Sequence, residues 1–452
     1  MQGLFSVFVQ PFIVLSALTL LFVGCGTRNP VQPISVGQSG IELRTSEWSL
    51  APSDWNAWRG PSRDGVAGAG AVATSWNDSK NVQWRADISG RGHGSPIVVG
   101  GAVFLATADE AKQTQSVVSL DRESGLQRWQ TEIHQGGFPA KNSVHKKATN
   151  ANGTIASDGK RLFIAMLNGE AITATALDFD GKVLWQREVG KFVSKFGYAP
   201  SPLLYKSLVV VVADNKGGGY LAAIDSETGE IVWRVTRGDG DSYSSPTVVA
   251  IDGRDQLLIS GNDAVTSYDP ASGALLWTTP CIAEATCGTI VSDGERIFAS
   301  GGYPESETVC LSAGGEILWS NSHKTYEPSL LVAGGKLITV NDSGIAVCWN
   351  AENGDQLWRQ RLGGNFSASP VLVNDVVIVP NLSGDTFVFK LGSEYQFVAK
   401  NRLGSDCYAS PAVSDGQLFL RIGVGTGAER KEQVVCIAAT EADDPASDVE
   451  SP

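Results

Sequence analysis

Eleven residues in five loops have the types and spacing that suit recognition of a ligand. They are His145, Lys146, Lys147, Lys195, Phe196, Tyr198, Asp214, Asn215, Lys216, Tyr243 and Tyr303. Cations beside amides and aromatic faces suit an anionic or carbohydrate-like ligand, or a peptide segment. The Gly217-Gly218-Gly219 run among them lets a ligand approach the backbone, because no side chain stands in the way. No catalytic set is evident. There is no G-x-S-x-G elbow, no recognisable nucleophile–His–acid grouping and no C-x-x-C-H haem attachment. Taken singly, each Lys or Asp is an ordinary solvated loop residue and each Tyr an ordinary rim cap. Their concentration in irregular loops is what points to binding. His93, in Arg-Gly-His-Gly-Ser-Pro, is read as a hydrogen-bonded structural histidine, while His134 and His323 show no partner pattern.

A repeat must position these loops. The phrase G-x-x-x-W ends at Trp129, Trp185, Trp233, Trp277, Trp319 and Trp358, with steps of 39 to 56 residues. That is the length of one four-stranded blade with its loops. Two-residue turns interrupt apolar stretches once per unit, at Gly100-Gly101, Asp158-Gly159, Lys206-Ser207, Asp252-Gly253, Asp293-Gly294, Gly334-Gly335, Asn374-Asp375 and Asp415-Gly416. Most are residues that tolerate the positive φ of a two-residue hairpin. Ser-Pro recurs at 95–96, 201–202, 245–246, 369–370 and 410–411, where proline opens a strand without losing a ladder bond. Each unit therefore reads as strand A, tight turn, strand B, loop, strand C, Asp-x-x-Ser/Thr-Gly turn and strand D.

The fold class is all-β: an eight-bladed β-propeller of four-stranded antiparallel blades. Unit seven lacks the tryptophan, and unit eight ends at residue 439 without a D strand. Residues 81–86, with Trp84, supply that strand from the other end of the propeller segment. The ring is thereby closed and has no free terminal edge. The seven tryptophans, Trp84 included, are expected to pack between neighbouring blades as structural side chains. D–A connectors and B–C loops share one face, which holds all the irregular loops and therefore the expected site.

Ala223-Ile-Asp225-Ser-Glu-Thr-Gly229-Glu-Ile-Val-Trp233 resembles the tryptophan-docking motif of the pyrroloquinoline-quinone (PQQ) repeat family. The resemblance covers roughly residues 81–439. The family includes quinoprotein alcohol dehydrogenases and BamB, a lipoprotein subunit of the β-barrel assembly machinery; both are eight-bladed. The BamB-like branch implies a non-enzymatic adaptor that binds an envelope protein or small ligand through its loop-rich face. The dehydrogenase branch implies PQQ and Ca²⁺, adjacent cysteines against the cofactor and an aspartate base. This chain has no adjacent cysteine pair and no stretch matching those metal or base motifs, although Asp214-Asn215 offers oxygen ligands. The adaptor is therefore the first expectation, with no cofactor, and the dehydrogenase is the alternative.

The remaining features concern export and charge. Residues 1–24 carry no charged side chain and end in Gly24-Cys25, which resembles a lipoprotein signal with Cys25 acylated. Gly26 is unlike an aspartate inner-membrane retention signal, so the outer membrane is expected. Residues 25–50 read as a polar tether, 51–80 as a brace folding back on the ring, and 440–452 as an acidic disordered tail. A net charge of −13 without a basic run argues against nucleic acid, and a closed ring is expected to be monomeric. Cys310, Cys348 and Cys436 occupy a slot filled elsewhere by Ser119, Ala176, Ala223 and Ser267, and are read as small buried thiols. Cys281 and Cys287 are close enough in sequence for a disulfide in an oxidising compartment, with Cys407 a competing partner.

Overall fold

The computed structural model describes residues 43–44, 48–68 and 70–439. The signal segment, Cys25 and the acidic tail lie outside the described residues. Eight sheets of antiparallel blades form the propeller. Blades one to seven take their four strands from 97–135, 156–191, 203–236, 247–280, 291–321, 331–361 and 371–402. Blade eight takes three strands from 412–437 and its outermost strand from Val82–Ile88, antiparallel to Lys431–Ile437. The closing strand thus stands where the sequence puts it.

Each tryptophan does two jobs at a blade boundary. Within its blade it faces a small residue on strand C: Trp84 opposite Cys436, Trp129 opposite Ser119, Trp185 opposite Ala176, Trp319 opposite Cys310 and Trp358 opposite Cys348. Except at Trp358, its indole lies over the turn glycine of the following blade. A Cβ on Gly229 would sit 2.7 Å from Trp185, and one on Gly125 would sit 2.5 Å from Trp84. The indole N–H donates to a carbonyl in the same turn, as Trp84 does to Arg122 at 2.8 Å and Trp129 to Phe179 at 2.8 Å; Trp233 alone of the seven has a buried N–H without a partner. The glycine of each phrase therefore serves the tryptophan of the preceding one.

Blade seven places Ala399 opposite Val388, in the register position that tryptophan holds elsewhere. The brace supplies the missing bulk. Trp76 is buried in the cluster that contains Ala399, and its backbone N–H donates to Asn401 Oδ1 at 2.9 Å. Asn401 Nδ2 returns a bond to the Thr74 carbonyl, so one side chain on strand D holds the brace twice.

Two arcs of hydrogen-bonded hydroxyls run around the axis at the start of the A strands. The Ser95 N–H donates to Thr154 Oγ1, Thr154 to Ser201 Oγ, and Ser201 to Ser245 Oγ, each at 2.9 Å. Thr289 donates to Ser329 Oγ, Ser329 to Ser369 Oγ and Ser369 to Ser410 Oγ. Ser201, Ser245, Ser369 and Ser410 of Ser-Pro are thus inter-blade acceptors, as are Thr154 and Ser329 without a proline; Thr289 Oγ1 accepts from Trp58 instead, and Ser95 Oγ has no partner.

The N-terminal segment seals the A–B-turn face. Trp55 exchanges backbone hydrogen bonds with Val98, and Asn56 accepts from the Ser157 N–H. Val66–Ala67 pairs in parallel with the A strand of blade seven. Arg63 donates to the Leu204 carbonyl and Arg59 to that of Leu330, so the brace reaches the innermost strands of blades on opposite sides. The segment read as a polar tether to residue 50 already docks at its described end. Trp48 Nε1 donates to the Lys206 carbonyl, the Ser49 N–H donates to Asp158, and Arg44 pairs with Asp225. The physical reason is local: Leu43, Trp48 and Leu50 are apolar and pack on blades one to three.

Candidate functional site

The opposite face opens into a funnel of about 440 Å³ on the propeller axis. That is within the usual range for a ligand pocket. Its wall follows directly from the ring of hydroxyls. Two residues before each ring hydroxyl, one side chain per blade lines the funnel: His93, Asn152, Ala199, Tyr243, Cys287, Glu327, Ser367 and Tyr408. Trp58 of the brace completes the lining and donates its indole N–H to Thr289 Oγ1 at 2.9 Å. The floor is therefore built by the segment that seals the other face.

Six expected residues belong to this funnel: His145, Lys147, Lys195, Phe196, Tyr243 and Tyr303. Lys147 Nζ reaches Glu327 Oε1 at 2.5 Å from a connector on the other side of the mouth, and Ser367 Oγ donates to the second oxygen of Glu327. Lys195 stands 3.8 Å from Asp241 and 5.0 Å from the centre of the Phe196 ring. His145 meets Phe196 edge-on at 5.7 Å.

Five expected residues do other work. Lys146 is exposed and outside the lining. Tyr198 is buried, with its hydroxyl donating to the Val212 carbonyl. Asp214 is buried in a two-point pair with Arg237, at 2.6 and 3.0 Å, and Arg237 also donates to Tyr268. Asn215 holds a turn, accepting from the Gly217 and Val193 N–H groups. Lys216 pairs with Glu284. Gly217 serves the chain rather than a ligand, since a Cβ there would sit 2.5 Å from Val193.

His93 stacks on Tyr408 with ring centres 4.1 Å apart and planes 2° apart. Burial, and then Arg91, Arg421 and Arg430, hold its pKa well below the ordinary value, so the ring is neutral. Behind it Arg421 and Glu432 form a buried pair at 2.6 Å, and Arg430 links Glu432 to Asp406. Arg421 also donates to the Gly94 carbonyl, which fixes the connector carrying His93. His93 thus lines the funnel, and its Nε2 is buried without a hydrogen-bond partner in the protein, as is the Tyr243 hydroxyl. His134 does have a partner: its Nδ1 lies 2.8 Å from Gln115 Oε1. His323 packs edge-on against Trp349.

The expected Cys281–Cys287 bridge is not formed; both are free thiols, as is Cys407. Cys281 Sγ contacts the Thr279 carbonyl at the end of strand D, whereas Cys287 lines the funnel beside Tyr326. Nearness in sequence does not bring the two sulfurs together, because the connector between them turns into the mouth. Burial raises the pKa of both, Cys281 to about 11, so neither is poised as a thiolate.

Of the oxygen donors that Ca²⁺ with PQQ would draw on, Glu327 is the one carboxylate among the funnel's lining residues, and Asp214 and Asn215 lie outside that lining. Glu327 is engaged by Lys147 and Ser367, Asp214 by Arg237, and Asn215 by its own turn. Among the described residues no group of three or more His, Cys, Asp or Glu converges as metal ligands.

Fold and site together define an eight-bladed PQQ-repeat propeller with one sealed face and one open, aromatic-walled face. A family model described as outer membrane protein assembly factor BamB matches residues 62–139, 113–314 and 304–392, and the chain belongs to that family. It is 26% identical over 407 residues to the outer membrane protein assembly factor BamB of Bordetella pertussis (strain Tohama I), covering 85% of this chain and 93% of that protein. The crystal structure of BamB from Moraxella catarrhalis is similar at a TM-score of 0.58 and 16% identity, over 78% of this chain and 98% of that one. The quinohemoprotein alcohol dehydrogenase of Comamonas testosteroni is similar at a TM-score of 0.66 and 12% identity, over 86% of this chain and 81% of that one. At such identities the structural likenesses show the fold alone.

Proposed function

We propose that this chain is a non-enzymatic envelope adaptor, anchored through Cys25 in the outer membrane, that binds a protein partner on its funnel face. The carrying observation is the asymmetry of the ring. The N-terminal segment closes one face from Trp48 to Trp76, and the other opens a funnel to which every blade contributes a side chain. The names of its relatives, outer membrane assembly factors, support a protein partner and an outer-membrane location. Co-purification from envelopes tests this, comparing the wild type with a Lys195→Glu/Phe196→Ala variant. One protein lost from the variant's complex supports the proposal; an unchanged set of partners refutes it.

The alternative reading is a PQQ-dependent dehydrogenase, for which the axial funnel above Trp58 offers the space. Titration with PQQ, with and without Ca²⁺, followed by tryptophan fluorescence, decides against or for it. The adaptor reading expects no saturable quenching. Ca²⁺-dependent quenching at micromolar PQQ would reverse the ranking.

A further inference from the structure

Three ion pairs stand around the open mouth: Lys147–Glu327, Lys195–Asp241 and Lys216–Glu284. In each the lysine is the more exposed member, most clearly in Lys195 at 56% against Asp241 at 9%. Lys141 and Lys146 on the connector after blade one and Lys191 at the end of blade two add exposed cations, against exposed Glu110 and Glu170 on the B–C loops of the same blades, while exposed Asp239 and Glu305 stand on the side of blades four and five. In a protein of net charge −13, lysines thus outnumber exposed carboxylates on the mouth side of blades one and two. Val193, Phe196 and Tyr303 are exposed on the same rim. Scattered exposed apolar residues are ordinary. These border a cavity walled by Tyr243, Tyr326 and Tyr408 over Trp58.

Resting on the adaptor reading, we infer that the mouth takes an extended partner segment in which an aromatic side chain is flanked by carboxylates. The aromatic group fills the funnel against Trp58 and the tyrosines, where ring contacts add to burial. The carboxylates meet Lys146 and Lys195, whose charges also speed encounter. The Tyr243 hydroxyl and His93 Nε2, buried and without protein partners, face the segment's polar backbone. The occupant we infer is a partner: the last described strand, Lys431–Ile437, runs out on the sealed face, and a truncation tests the chain's own acidic end.

Fluorescence anisotropy of labelled nine-residue peptides against the full chain in non-ionic detergent tests this. A peptide with a central Phe between glutamates should bind at least tenfold tighter than one with a central Ala, or one with lysines replacing the glutamates. Lys146→Glu/Lys195→Glu should weaken it at least tenfold, with the propeller still folded by circular dichroism. Deletion of residues 440–452 should change nothing. Equal binding of the three peptides, indifference to charge reversal, or tighter binding after the deletion would each overturn the inference. If a rim position cross-links to a protein in cells while all peptides fail, this inference falls and the adaptor reading stands. If both fail, both fall.

Discussion

The turn glycines show how much one hydrogen atom decides. Gly229 has φ +73° and holds Trp185 where a Cβ would be; Gly253 has φ +69° with nothing within 4 Å. The two substitutions therefore separate backbone strain from lost stacking. Gly253→Ala should cost about 1–2 kcal/mol from the left-handed backbone alone. Gly229→Ala should cost about 3 kcal/mol or more, because the indole must also move. Urea midpoints at constant m-value measure both, and equal losses would contradict the stacking role. Histidine titration gives a second test. Burial lowers His93 well below its ordinary value and His323 to about 4. The unfolded chain binds these protons more readily than the folded one, so stability is full above about pH 6.5 and falls as the pH drops towards 4. His323→Asn should flatten part of that slope in unfolding curves from pH 7 to 4.5; an unchanged slope would show that His323 does not contribute.

At the scale of elements, blades are joined by hydroxyls and by the brace. Ser201→Ala leaves the buried Thr154 N–H without its acceptor and should cost about 1–3 kcal/mol. Trp76→Ala should cost about 3–5 kcal/mol and lower hydrogen-exchange protection first in strand Gln396–Arg402. Uniform loss around the ring would mean that Trp76 does not serve blade seven in particular. This is also the scale at which the sequence was most legible. The tryptophan phrase, the tight turns and the closing strand at Trp84 repeat with fixed residue types, so periodicity exposes them. The funnel wall repeats only in position. His93, Asn152, Ala199, Tyr243, Cys287, Glu327, Ser367 and Tyr408 share an offset of two from the ring hydroxyl and almost no chemistry. The hydroxyl itself changes between Ser and Thr and loses its proline in blades two, five and six. Asp214 was misplaced for a different reason. Its partner Arg237 stands 23 residues away, beyond strands C and D, and only the blade's geometry brings the two together.

For the whole molecule, the central claim is that the two faces of the ring differ in kind. A photo-activated cross-linking residue placed in the full chain in living cells tests this directly. Tyr303 is exposed at the funnel mouth, and Glu123 is exposed in a C–D turn on the sealed side. Neither supports the fold, so both variants should assemble normally. The account predicts a discrete protein adduct from position 303 and none from position 123. An adduct from position 123 with none from 303 would contradict it, because the partner would then be using the face that the N-terminal segment closes.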